Sequence, residues 1–361
     1  MFKEKVVKGV ICLGVMGMLL SSGLALGKEP AKEEQGKETE KKGTQTVGIR
    51  RSKEGQTIKL AGVSASEIKV GTITQLTTDG GYGDYLVGVE WSPDGTKLLT
   101  HNKYGTLTII YVNDSGQVDL SATGDDYSWS PDGSKIVFED WGHNLWIMDT
   151  DGSSKIKLTT HISYPAWSFD GTKIAFSSLT GLGVINIDGS GQTELVAGEI
   201  YRPIVWLPSG KIAYRKEEDD KFNLYTINSD GTNEKKLDEN VFTVIWWRST
   251  KSKVFYNTSD DWYVMDEDGE NKIIPIGNKK PNDWSPDGTK FAGTKGECDE
   301  KGAVIISGEI YLINYDGTGA NQLTNTSNLI EEVPKWSPVG DKIAYIDLDN
   351  GNIYLMTLEE E

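Results

Sequence analysis

Trp129-Ser-Pro-Asp-Gly133 opens the stretch that decides the fold. It runs on through Lys135–Phe138 (KIVF), Leu145–Asp149 (LWIMD), a turn at Asp151-Gly152 and a short segment ending Leu158-Thr159. The opening phrase recurs intact at Trp91–Gly95 and Trp284–Gly288. It is degraded but legible at Trp167 (WSFDG), Trp206 (WLPSG), Trp247 (WRSTK) and Trp336 (WSPVG). The seven tryptophans lie 38, 38, 39, 41, 37 and 52 residues apart. A period of about 40 residues, rich in β-branched and aromatic side chains, marks a β-propeller with one four-stranded blade per repeat.

Each repeat decomposes alike. A short strand leads into the tryptophan. Pro-Asp-Gly then turns the chain, proline fixing φ while Asp and Gly tolerate unusual dihedrals. A second strand follows, as at Lys97–Thr100 and Lys342–Tyr345. A third runs at Asn223–Asn228 or Glu309–Asn314 and ends in a second glycine turn, as at Asp230-Gly231. After Ile353–Leu358 no fourth strand remains for the seventh repeat, while Thr72–Thr77 (TITQLT) reads as a fourth strand ahead of the first. The expectation is an all-β chain forming a single seven-bladed β-propeller, its last blade closed by an N-terminal strand, which removes open sheet edges.

Outside the repeats the chain changes character. Lys3, Lys5 and Lys8 precede an uncharged, mostly apolar stretch, Gly9–Gly27, with small residues at its end. Residues 1–27 thus read as an export signal, or as a retained membrane anchor with the propeller outside. Residues 28–69 read as a charged, mostly disordered tether, although Val47–Ser66 has some strand character without matching the repeat. The propeller is expected over 70–361. Cys12 lies in the leader and leaves Cys298 without an intramolecular disulfide partner. The net charge of −17 argues against nucleic acid as a partner, because phosphate binding needs a basic face.

The Trp129–Thr159 repeat resembles that of the TolB-like β-propeller family, and the likeness extends over residues 70–361. The resemblance implies a periplasmic or otherwise exported propeller. Two departures limit it. TolB carries an N-terminal α/β domain and six blades, which puts a Tol–Pal envelope role in doubt. Related peptidases carry a hydrolase domain, and no such segment follows the last repeat here, so peptidase activity does not transfer.

Motifs for chemistry are sparse. Asp149–Gly152 and Asp266–Gly269 mimic the start of a calcium loop without its further ligands. The same position reads Asn-x-Asp-Gly at Asn186, Asn228 and Asn314, so a structural turn is the better reading. His101, His143 and His161 have no metal-ligand spacing, and there is no Gly-x-Ser-x-Gly elbow. No metal and no cofactor is expected.

Function is expected on the face bearing the second-to-third and inter-blade loops, because those vary while the other turns are uniformly tight. The long sixth repeat adds residues at Lys295–Gly308 and Thr324–Pro334, both on that face. The candidate binding residues are Tyr85, Asp126, Trp141, His143, His161, Tyr164, Tyr201, Arg202 and Glu331; Tyr82, Phe242 and Lys280 belong to the same loops. The acidic pairs there, Glu331-Glu332 included, read singly as solvated loop charge. These readings point to an exported, monomeric, non-catalytic binding or scaffold protein engaging an envelope protein or cell-wall polymer. The alternative is a propeller enzyme, a carbohydrate lyase or hydrolase, using channel-mouth carboxylates with His143 or His161.

Overall fold

The computed structural model describes residues 50–51, 57–78, 80, 88–113, 116–246, 253–258, 262–273, 280–298, 305–326 and 329–361. Residues 1–27, expected as a leader or anchor, residues 28–46, Tyr82, Tyr85 and Trp247 lie outside them.

Among the described residues seven antiparallel sheets form the blades, each a meander, and an eighth, two-stranded sheet pairs Arg50–Arg51 with Thr57–Ile58. Blade 2 is representative, with strands Tyr127–Trp129, Lys135–Glu139, Asn144–Asp149 and Ile156–Thr160. Blade 5 has three strands among the described residues, and a bridge between Val264 and Ile273 marks the fourth position. Blade 7 takes Glu331–Trp336, Lys342–Asp347 and Asn352–Glu360 from one end of the chain and Ile68–Gln75 from the other. The N-terminal closure is therefore real, with the strand starting four residues earlier than TITQLT suggested. First strands of successive blades touch all round, including the first strand of blade 7 against that of blade 1, so the ring is closed.

Alternation along the strands explains the packing. Leu98 joins Ala344 and Ile346 of blade 7, whereas its neighbour Leu99 joins Trp129 and Ile136 of blade 2. Successive side chains point to opposite faces, and both faces of each blade are covered. The second strands therefore read as continuous apolar runs.

The recurring tryptophan has two roles. Its ring fills the space between blades, and Trp129 is 1 % exposed. Its indole N–H reaches the preceding blade, donating to the carbonyl of the residue before that blade's own tryptophan. Trp129 donates to Glu90 O (3.3 Å), Trp167 to Ser128 O (3.2 Å) and Trp206 to Ala166 O (3.1 Å). Trp91 continues the series across the closure to Lys335 O (3.0 Å). At the blade 6–7 junction the link is made differently, by the Trp336 backbone N–H to the Asp283 carboxylate (2.8 Å).

The rest of the phrase builds the turn. Ser130 Oγ donates to Asp132 Oδ1 (2.6 Å) and accepts from Lys135 N (2.9 Å), while Asp132 also accepts from Ser134 N (3.0 Å). Gly133 sits at φ 72°, where a Cβ would be strained. The second turns use the same device, as where Asp188 accepts from Ser190 N and Oγ. These carboxylates are engaged by their own turns, which is the structural reading of the Asp-Gly repeats.

Residues 57–69, expected in the tether, belong instead to the folded body. Lys59 N donates to Val339 O (2.8 Å) and Ala65 N to Asn314 Oδ1 (2.9 Å). Val63, Ala65 and Ile68 join the buried cluster of Ala292, Ile310 and Trp336. The physical reason is that blade 6 ends in a two-residue fourth strand, Asn321–Gln322, and this strap covers what that strand leaves open. Lys290 fastens it. Its ammonium donates to Val63 O (2.9 Å) and Leu60 O (3.2 Å), with Asp287 at 3.5 Å.

The sixth-repeat insertion is partly strand, not loop. Lys290–Cys298 and Ile305–Asn314 extend one hairpin, pairing Lys295 with Glu309 and Cys298 with Ile305. Among the described residues no helix is long and apolar enough to cross a membrane.

Candidate functional site

The first strands reach the variable-loop face irregularly. Register shifts fall between Ser163 and Ala166, Tyr201 and Val205, Pro281 and Asp283, and Glu332 and Lys335. Each contains or adjoins a proline: Pro165, Pro203, Pro281 and Pro334. Proline cannot donate to the ladder, so it is tolerated where pairing lapses. Such bulges re-aim side chains and recur beside functional sites. Tyr164 at φ 60° and His143 at φ 56° are non-glycine residues in the left-handed region on this rim.

The bulges in blades 3 and 4 bring three expected residues together. The Arg202 guanidinium stacks over the Tyr164 ring at 4.6 Å and pairs with Asp126 at 3.4 Å. With Pro165, Pro203 and Ile204 they line a cavity of about 230 Å³. The Arg202–Pro203 peptide is cis.

His143 joins through a residue the sequence reading missed, Glu139. Its carboxylate takes His143 Nδ1 at 2.6 Å, Ser163 Oγ at 3.1 Å and Tyr164 N at 3.3 Å. Glu139 is buried, whereas the His143 side chain is 66 % exposed. The signal was present, since Glu139 ends an apolar run, KIVFE, at the loop that holds Trp141. Trp141 lies at the edge, exposed, its indole N–H on Asp125 (3.2 Å).

Tyr201 sits beside this group. Its hydroxyl donates to Glu199 (2.8 Å) and its ring meets Phe222 edge-on at 4.9 Å. Hydrogen bonds to Glu217 and Glu199 push its phenol well above the ordinary tyrosine range. Arg215, also unforeseen, lies over Phe222 and donates to the carbonyl of exposed Phe242. His161 is exposed, with its neighbour Thr160 against its ring nitrogen (3.0 Å).

Glu331 does not belong here. It is fully buried between blades 6 and 7, and Glu332 beside it is 3 % exposed. The reading of this pair as solvated loop charge, and of Glu331 as a surface contact, is corrected: residues 331–336 form the inner strand of blade 7, which packs against blade 6. Tyr85 lies outside the described residues. Among those described, no three His, Cys, Asp or Glu side chains group as metal ligands.

No family model and no curated protein matches this chain. Solved structures do. An oligogalacturonate lyase from Vibrio parahaemolyticus aligns at TM-score 0.63 with 14 % identity, over 80 % of this chain and 96 % of that one. An oligogalacturonate lyase in complex with manganese aligns at 0.62 with 16 % identity, over 87 % and 96 %. The β-propeller domain of Cps50 (Swd1) from Myceliophteria thermophila aligns at 0.59 with 13 % identity, over 79 % and 99 %. At such identities the likeness establishes the propeller fold alone.

Proposed function

We propose that this protein is a non-catalytic binding propeller that engages an envelope protein or cell-wall polymer through the variable-loop rim of blades 2 to 4. The observation that carries the reading is the joined set Asp126, Arg202, Tyr164, Glu139 and His143, with Trp141 exposed at its edge. Arg and aromatic side chains fixed by neighbours are the residue types that dominate recognition surfaces. Arg202 has five donors and gives one to Asp126, so donors remain for a ligand. In this reading residues 1–27 export the chain or anchor it outside the cytoplasmic membrane. The propeller works there as a monomer, and the resemblance of its repeat to the TolB-like family supports the exported location.

The test is capture of envelope proteins and cell-wall polymer by wild type, Arg202→Ala and Trp141→Ala. Each variant is expected to bind at least roughly tenfold more weakly, as for a recognition anchor. Each should unfold at an unchanged denaturant concentration. Undiminished capture by both would sink the proposal.

One observation favours a second reading. The buried Glu139 carboxylate against His143 Nδ1 is the geometry of an oriented proton-transfer group. It fits the alternative of a carbohydrate lyase or hydrolase. Incubation with a panel of oligosaccharides including oligogalacturonates, for wild type and His143→Ala, separates the two. Cleavage that depends on His143 would move the assignment to an enzyme.

A further inference from the structure

The seam between blades 6 and 7 buries acid against acid. Glu331 begins the first strand of blade 7, Asp347 ends the second, and the ladder sets them directly opposite. Opposed residues of an antiparallel pair share a face, and like charges there repel. The corresponding outer rungs elsewhere avoid this, with Ile162 opposite Ser178, Ile200 opposite Lys216 and Lys280 opposite Thr294. Both acids are inaccessible to solvent.

Their hydrogen bonding is incomplete. Asp347 Oδ1 accepts from Asp349 N (3.0 Å) and Ile330 N (3.4 Å), a turn contact like that of Asp140 with Gly142 N. Asp347 Oδ2 and both carboxylate oxygens of Glu331 have no partner of good geometry. Across the seam, Glu309 of blade 6 faces Glu331, its own carboxylate holding Thr326 N (3.0 and 3.2 Å). The hydroxyls of Thr324 and Thr326 lie beside it, and Tyr345 shares the environment on the blade 7 side. Glu332 points elsewhere, to the Thr294 hydroxyl (3.1 Å). Among the described residues neither Glu331 nor Asp347 has a cationic partner within ion-pair distance. Two adjacent buried carboxylates without a counter-charge do not both ionise cheaply.

We propose that the Glu331–Asp347 pair is a proton-binding latch: a proton retained there keeps the blade 6–7 seam closed, and its loss loosens the seam. Burial above all, with the charges of Glu309 and Asp347, pushes Glu331 up to about 7 against the pull of the threonine hydroxyls. Burial raises Asp347 as well, against the pull of the Asp349 and Ile330 backbone N–H groups and with a smaller push from the Asp349 charge. The folded chain holds a proton that the unfolded chain has released above the ordinary value of 4.5. Stability from the latch is complete below that value, declines as pH rises and is gone above about 7. The shift corresponds to roughly a hundredfold larger unfolding constant at pH 8 than at pH 4.5.

The experiment is hydrogen exchange over residues 308–314 and 331–336, corrected for intrinsic rates, together with denaturant midpoints between about pH 5 and pH 8. Wild type is expected to lose seam protection and midpoint as pH rises. Glu331→Gln, a neutral isostere, is expected to show neither change. The same pH dependence in Glu331→Gln would overturn the latch. Should that variant fail to fold, seam protection in wild type that stays constant across the range would overturn it alone. Restoration of the seam at high pH by calcium ions would also overturn it, replacing the proton with a metal.

Discussion

Replacing Lys290 by methionine removes the charge that fastens the N-terminal strap while keeping most of the side chain's bulk. The Lys290 side chain is 1 % exposed and that of Asp287 2 %. Asp287 keeps the hydroxyls of Ser285 (2.6 Å) and Thr289 (2.7 Å) and Gly62 N (3.1 Å), but loses its counter-charge. Burial pushes the Asp287 carboxyl up, yet Lys290 and those donors hold it below the ordinary range, so it remains an anion. Breaking a buried pair by removing one partner costs about 3–5 kcal/mol. The surviving donors to Asp287 place the expected loss near the lower end, about 3 kcal/mol. The carbonyls of Leu60 and Val63 lose the ammonium as well, Leu60 O keeping only Val63 N, so the damage is expected first in residues 57–67. Urea unfolding followed by tryptophan fluorescence measures the total, and limited proteolysis locates it. Lys135 is the control. It occupies the same place in blade 2 but pairs with Asp149 at the surface, both side chains more than a third exposed. Lys135→Met should scarcely move the midpoint. Adding Asp287→Asn to Lys290→Met should recover much of the loss, because no bare anion is then buried. If Lys290→Met unfolds at the same urea concentration as Lys135→Met, the strap is not held by this charge.

Two further outcomes follow from the repeats. Trp129→Phe keeps a buried ring but deletes the N–H that reaches Glu90 O, and should cost about 1–2 kcal/mol in urea unfolding, against about 3–5 kcal/mol for Trp129→Ala. The turn aspartates Asp132, Asp170, Asp188, Asp230 and Asp316 are held below their ordinary value of 3.8 chiefly by the serine or threonine hydroxyl each accepts. Their contribution is present above that value and is lost as pH falls through the lowered one. Unfolding midpoints taken from about pH 5 down to pH 2.5 should therefore drop, and more shallowly in Asp132→Asn with Asp170→Asn.

The architecture was legible because the Ser-Pro-Asp-Gly part of the phrase encodes turn contacts internal to a repeat, which recur wherever the phrase is intact. Ser130, Asp132 and Gly133 close their own turn, so the pattern survives in one dimension. The closing strand was legible for a related reason: a blade with three strands demands a fourth. The strap at residues 57–67 was not, since it imitates no repeat and meets partners far away in sequence, such as Asn314 and Asp341. Lys290 looks the same as Lys97 and Lys135 in sequence, and only the arrival of the strap distinguishes it. The rim was half legible. Asp126, Tyr164 and Arg202 stood out as charge and aromaticity in variable loops, while Glu139, although an acid closing the apolar run KIVFE, has partners in the next blade, Ser163 and Tyr164, that nothing local reveals. Glu331 failed in the opposite way. Two adjacent glutamates read as surface, and nothing local reveals that they start an inner strand covered by the neighbouring blade.

Blade 7 also imposes an order of events on folding. Thr72 meets Thr357 across 285 residues of chain. Such a contact forms late, because loop closure must precede any gain from it. At about 5–20 residues per second, ribosomal synthesis separates the two strands by roughly 15–60 s. Throughout that interval the Ile68–Gln75 strand lacks its neighbour, and for most of it the strap lacks blade 6. The first six blades can stack as each is completed, but the ring stays an open arc with bare edges at both ends. The protein becomes a propeller in one final step, and the time spent before that step is when the chain is most exposed to pairing with another copy of itself.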